Sequence, residues 1–365
     1  QKQFINGELR LARPATAESL GVVLKPEKKA FCKPFAGSWP PEPQHPSGES
    51  LQTYFKESEA RHIPPSSSAW CATQCLDCRE MGLSDPALEA MVASASKGPA
   101  LTGILLNSNN ITDEGVSALF RTSLAASKTA LQRVAEINLS ENERLSHRCV
   151  AELGEICQSG ALQRLSILCL SGIELPGETL RTLRAGLEKT PRLATLDLSY
   201  TGLGRYDQSA VLEVAGLIAA QGRLQTLDLS GNHVGHVGVA GGMLRGEHAI
   251  GLAEALSECP YLETLCLAQN STTSQSGSGV PRPGAAPVDP LPPPALATVA
   301  EAIPGTMKEV DFTESGVDRD TAVVAAVTLA GHRRLETLRL AGNPIGEDGV
   351  RMLVTGFWLQ EELSR

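Results

Sequence analysis

The sequence predicts an α/β solenoid. About nine stacked strand–turn–helix units follow an extended N-terminal arm. Three observations predict it. From about residue 73 onward one spacing recurs: apolar, two residues, apolar, one residue, apolar, two residues, often Asn, one residue, apolar. Its copies begin roughly 28 residues or more apart. Between copies the apolar positions change from alternation to helical spacing, as at Val116 and Leu119 and again at Val350 and Leu353.

Residues 1–70 stand apart. They hold nine of the 23 prolines and seven of the 14 aromatic residues, and carry +2 against −11 for the rest of the chain. Pro34, Pro40, Pro41, Pro43 and Pro46 preclude a regular helix or ladder there. The stretch reads as an extended arm, with a short helix around 50–61. Disordered tails are poor in aromatics, whereas Phe4, Phe31, Phe35, Trp39, Tyr54 and Phe55 are spaced like anchors for a partner surface.

The repeated units follow from residue 71 to residue 365. A degenerate first copy holds Leu76, Cys78 and Leu83. The clearest copies are Leu101, Ile104, Leu106, Asn109, Ile111; Leu224, Leu227, Leu229, Asn232, Val234; and Leu335, Leu338, Leu340, Asn343, Ile345. Weaker ones start at Val134, Leu165, Leu193, Leu262 and Met307. The alternating apolar pair is a short strand with its apolar side inward. The Asn amide, with two donors and an acceptor, bonds exposed backbone where the strand ends. Met81, Ile173, Thr201 and Ser315 replace that Asn, so their turns are expected to be looser or bonded otherwise. Two insertions interrupt the array, a Gly-rich one at 235–246 and a Pro/Ser-rich one at 271–294. In the last helix, Phe357 and Trp358 are expected to fold back over the exposed end of the core.

The runs Leu224-Gln-Thr-Leu-Asp-Leu-Ser-Gly-Asn-His-Val234 and Leu335-Glu-Thr-Leu-Arg-Leu-Ala-Gly-Asn-Pro-Ile345 resemble the ribonuclease-inhibitor-like class of leucine-rich-repeat proteins. The resemblance covers about residues 73–365. It implies a leucine-rich-repeat solenoid that binds other proteins, a horseshoe with parallel strands on the concave face and helices on the convex face. Ran-type GTPase-activating proteins look like this fold too, and a soluble inhibitor using the concave face is a further alternative.

No residue set specifies chemistry. Cys71, Cys75 and Cys78 have a cluster-like spacing, but Cys78 takes a strand position filled elsewhere by leucine, so it reads as a buried hydrophobe. Cys169 and Cys266 share an inner-face column expected to be exposed. His233 and His236 are too sparse to read as a zinc site. No phosphate-cradling loop, zinc-protease helix or nucleophile elbow is present. The sequence therefore predicts no catalytic residue, no cofactor, no metal and no small-molecule substrate. The net charge of −9 argues against a nucleic-acid partner, and no apolar run approaches the roughly 20 residues of a membrane span. Nine irregularly spaced cysteines read as reduced thiols of an intracellular protein. On the concave face, Asp77, Glu136, Asp197, Asp228 and Asp311 with Arg339 suggest an acidic groove for a basic partner. The expected function is a non-enzymatic interaction scaffold, a structural subunit of a large cytoskeletal or axonemal assembly, the alternative being a mitochondrial complex or mitoribosome.

Overall fold

A computed structural model describes residues 2–5, 8–11, 56, 60, 75–95, 101–126, 130–203, 209–232, 246–270 and 295–363. Phe31, Phe35, Trp39, Tyr54, Phe55, Cys71, His233, His236 and the 271–294 insertion fall outside them, as does the Gly-rich insertion up to Gly246. The described elements divide between two compact units.

The first unit holds strands β3 (Cys75–Asp77), β4 (Gly103–Leu105), β5 (Glu136–Asn138), β6 (Ile167–Cys169), β7 (Thr195–Asp197) and β8 (Thr226–Asp228). They pair in parallel in chain order, in a register that aligns Leu76, Ile104, Ile137, Leu168, Leu196 and Leu227. These central residues are buried, and each strand's first and third residues face the other way. Helices α1 (Asp85–Ala95), α2 (Asp113–Ala126), α3 (His147–Gln158) and α4 (Gly177–Leu187) lie between successive strands. In α2, Val116, Leu119 and Phe120 make one fully buried face, while Asp113 and Glu114 suit the positive helix start. Helices α3 and α4 meet at Gly154 and Gly186. A Cβ on Gly186 would lie 2.2 Å from the Gly154 carbonyl oxygen, so only glycine permits this approach.

The second unit holds α5 (Ser209–Ala219), α6 (Gly246–Ser257), β9 (Thr264–Cys266), α7 (Ala295–Glu301), β10 (Glu309–Asp311), α8 (Arg319–Ala330), β11 (Thr337–Arg339) and α9 (Gly346–Leu363). Strands β9, β10 and β11 are again parallel. In α9, Phe357 is buried as expected. Residues 2–11, expected as extended arm, instead form a hairpin. β1 (Lys2–Ile5) pairs antiparallel with β2 (Glu8–Leu11), and β2 pairs antiparallel with β11, setting Leu9 opposite Leu338 and Glu8 opposite Arg339. The edge of β11 is therefore covered by the chain's own N-terminal segment.

Turns repeat around the strands of the array. After each strand one residue adopts positive φ, between 53° and 82°: Glu80, Ser108, Glu141, Gly172 and Tyr200 in the first unit, Gly231, Gln269, Glu314 and Gly342 in the second. The Asn that follows ties neighbouring repeats. Asn142 donates from Nδ2 to the Leu106 (2.9 Å), Leu139 (2.9 Å) and Ser140 (3.2 Å) carbonyls, and its Oδ1 accepts the Asn109 N–H at 3.1 Å. Asn109, Asn270 and Asn343 donate in the same way. Where Asn is missing the turn is bonded otherwise. Thr201 donates to the Leu198 carbonyl (2.7 Å) and Ser315 reaches the Leu267 carbonyl of the preceding repeat (2.5 Å). The Met81 N–H is held instead by Asn109 Oδ1 (3.1 Å). Ile173 makes no polar contact of its own through an apolar side chain, and its N–H closes on the Leu170 carbonyl.

Helix starts are coupled across repeats as well. The Asp85 carboxylate accepts the N–H and hydroxyl of Thr112 (2.7 and 2.6 Å), and Asp113 accepts those of Ser146 (2.8 and 2.6 Å).

Asn142→Ala strands buried carbonyls and one buried N–H, and is expected to cost about 3 kcal/mol, read as a lower urea midpoint. Glu80→Gly acts in the opposite direction: relieving a left-handed non-glycine residue whose side chain is exposed should raise stability by about 0.5–1 kcal/mol.

Candidate functional site

The strand face opposite the helices carries the residues singled out from sequence. In the first unit the strands' first residues read Cys75, Gly103, Glu136, Ile167, Thr195 and Thr226, and their third residues Asp77, Leu105, Asn138, Cys169, Asp197 and Asp228. Gly103 leaves room for the Cys75 side chain, since a Cβ there would lie 2.7 Å from Cys75 Sγ.

Asp77 is held by Arg79, whose Nε and Nη2 donate to the two carboxylate oxygens at 2.8 and 2.7 Å. Glu136 lies in the same field. Burial pushes its carboxyl above the ordinary range, Arg79 opposes that shift, and Asp77 adds to it. Burial foremost, with Asp77 and Glu136 adding, pushes the Cys75 thiol up to about 12.

Asp197 and Asp228 are aligned on adjacent strands and only 6% exposed. Asp197 Oδ1 accepts the Ser199 N–H (2.9 Å) and hydroxyl (2.7 Å). Asn138 and Asp311 accept the N–H two residues on in the same way, from Ser140 (3.0 Å) and Thr313 (2.8 Å). An Asp or Asn ending the strand thus closes an Asx turn, and the acidic column is part of the repeat's own wiring.

In the second unit Arg339 Nη1 donates to Glu309 Oε1 and lies 3.6 Å from Asp311 Oδ2. Arg79 and Glu309, absent from the sequence-derived set, are therefore the groups that occupy Asp77 and Arg339. The signal for Arg79 was available two residues beyond Asp77, within reach of a bidentate pair.

The expected exposure of Cys169 and Cys266 is not found. Both are buried, and Cys266 Sγ lies 2.9 Å from Ser230 Oγ. Three-residue strands pack their outward residues against the neighbouring strand's, which closes the space above small side chains. Cys78 faces the core with its Sγ 3.5 Å from Met91 Sδ. Burial raises the thiols of Cys149, Cys157 (to about 12) and Cys259 (to about 11). Such thiols stay protonated near neutrality and are poor nucleophiles and ligands. Among the described residues no group of three His, Cys, Asp or Glu is placed to hold a metal, and no helix is long and apolar enough to cross a membrane. Of the arm residues, only Phe4 lies among those described; it sits in β1 opposite Leu9.

Comparison with known proteins agrees with the repeat geometry. The family described as Leucine Rich repeat matches residues 105–120, 224–241 and 332–354. No curated protein matches the chain.

The raised Glu136 carboxyl has a definite consequence. The folded state favours its protonated form, so its contribution to stability is fully present below the ordinary value of 4.5 and is lost as pH rises through the raised folded value. Glu136→Gln should therefore melt higher than the parent protein at pH 7 and alongside it at pH 4. A lower melting point at pH 7 would mean that attraction to Arg79 outweighs burial.

Proposed function

The chain is a leucine-rich-repeat protein, and we propose that it is a non-enzymatic interaction subunit of a multi-subunit assembly. Proteins with these repeats are typically binding scaffolds. A helix after every described strand of the array, 7 to 18 residues long, supports placing the chain in the ribonuclease-inhibitor-like class. The observation that carries the functional reading is register. Each strand sets the same two positions on one face, and the turns before and after it present the same positions again. Repetition of this kind builds wide, fixed surfaces and no convergent reactive centre.

The aromatic arm supplies the anchors in this proposal, and the rims of the repeats supply the area. The cytoskeletal or axonemal placement rests on the class of repeat alone, and the mitochondrial alternative stands beside it. Imaging of the tagged chain separates the two.

The arm is tested without disturbing the N-terminal hairpin. In the variant F31A/F35A/W39A/Y54A/F55A the tagged chain should leave its complex and elute as a monomer, with the circular dichroism of the repeats unchanged. Retention of the variant in the complex would remove the arm from the proposal. A parent chain that already elutes alone from its native extract would remove the assembly.

A further inference from the structure

The turn that precedes each of the strands β5–β11 carries a feature outside the strand face. It is closed by an i→i+3 bond: Val134 N–H to the Leu131 carbonyl (3.0 Å), Leu165 to Leu162 (3.0 Å), Leu193 to Thr190 (3.3 Å) and Leu224 to Gln221 (3.1 Å). The third residue of these four successive turns is Arg133, Arg164, Arg192 and Arg223, all within the first unit. The strands that follow are in register, so the four arginines stand in a row. With neighbouring strands about 4.8 Å apart, the row spans about 14 Å.

All four side chains are exposed, and among the described residues none makes an ion pair or a side-chain hydrogen bond. This sets them apart from Asp77, Asp197, Asp311 and Arg339 on the strand face, each of which is engaged within the fold. The residues just before them, Gln132, Gln163, Pro191 and Gly222, carry no charge. The nearby Glu188 is paired with Arg184 at 3.8 Å. Nor does the turn itself demand arginine: in the second unit's three turns closed the same way, Tyr261 and Thr306 fill that place in two and Arg334 in the third.

We propose that Arg133, Arg164, Arg192 and Arg223 form a docking ladder for an acidic segment of a partner protein. The proposal rests on the reading of the chain as an interaction subunit and names one surface of it and its chemistry. Planar guanidinium groups in a row match carboxylates presented along an extended chain. At about 3.3 Å per residue such a chain crosses the ladder in about five residues. A nucleic acid suits the site less well. The four turns offer no aromatic platform for bases.

The test uses the full chain and a fluorescein-labelled peptide of twelve glutamates, followed by anisotropy at low and at moderate salt. Twelve-residue oligolysine and oligothymidine probes form separate arms. The glutamate peptide should bind, and bind less well as salt rises. Each single Arg→Gln change in the ladder should weaken binding about two- to fivefold. Together, R133Q/R164Q/R192Q/R223Q should abolish it, whereas Arg148→Gln, an exposed arginine on α3, should leave it unchanged. Circular dichroism of the quadruple variant confirms folding, and the single variants decide the matter should it fail to fold. Absence of binding by the parent chain, or equal binding by the quadruple variant, overturns the ladder. Tighter binding of oligothymidine than of the glutamate peptide overturns the choice of a protein partner. None of these outcomes bears on whether the aromatic arm holds the chain in a complex, so the two readings fail separately.

Discussion

Every strand of the repeat array is three residues long, and the backbone polar groups just beyond its ends are buried with it. That constraint governs the rest. A buried N–H or C=O without a partner costs as much as a lost hydrogen bond, and nine short strands generate many of them. The chain meets the demand with two turns. Before the strand an i→i+3 bond closes the approach. After it a left-handed residue turns the chain, and an amide or hydroxyl collects the carbonyls left over. The leucines fill the interior, but the turns decide where each repeat begins and ends.

This economy fixes what the surface can be. A strand-face Asp that closes its own turn is not available to a partner in the way its charge suggests. Asp197 is 6% exposed and already accepts two hydrogen bonds, and Asp77 is chelated by Arg79. The side chains left over for recognition sit where the backbone needs nothing from them. These are the third residue of the turn before the strand and the left-handed residue after it. Arg133 and Arg164 occupy the first kind of position and Glu80 the second.

The parts of this arrangement differ in how legible they were in the sequence. The strand leucines and the Asn positions were plain, because burial on one face enforces a strict spacing. The left-handed residue before each Asn was not, since only three of the nine are glycine and Glu80, Glu141 and Glu314 carry no composition signal for positive φ. The N-terminal hairpin was legible but overlooked. Its register leaves Asn6 and Gly7 between the strands, the strongest two-residue hairpin signal, in a segment weighed only for its prolines and aromatics. The hydrogen bonds that engage Asp77, Asp197 and Asp311 within the fold were less plain than their charge. An Asp followed two residues later by Ser or Thr was the available sign that the carboxylate is spent locally.

Net charge is a coarse guide to partners. A total of −9 favours basic partners only if recognition senses the whole molecule, and at physiological ionic strength screening limits that sense to about 8 Å. Within that distance what counts is which charges lack partners. On the strand face of the first unit Asp197 bonds to the Ser199 hydroxyl and N–H and Asp77 to Arg79, so their fields are partly cancelled where they arise. On the rim beside it four guanidinium groups stand in register with no ion-pair partner among the described residues. The local potential of an acidic protein can therefore be positive along one edge. A solenoid is suited to that separation, because each turn of the repeat assigns its residues to a face once and every later repeat inherits the assignment.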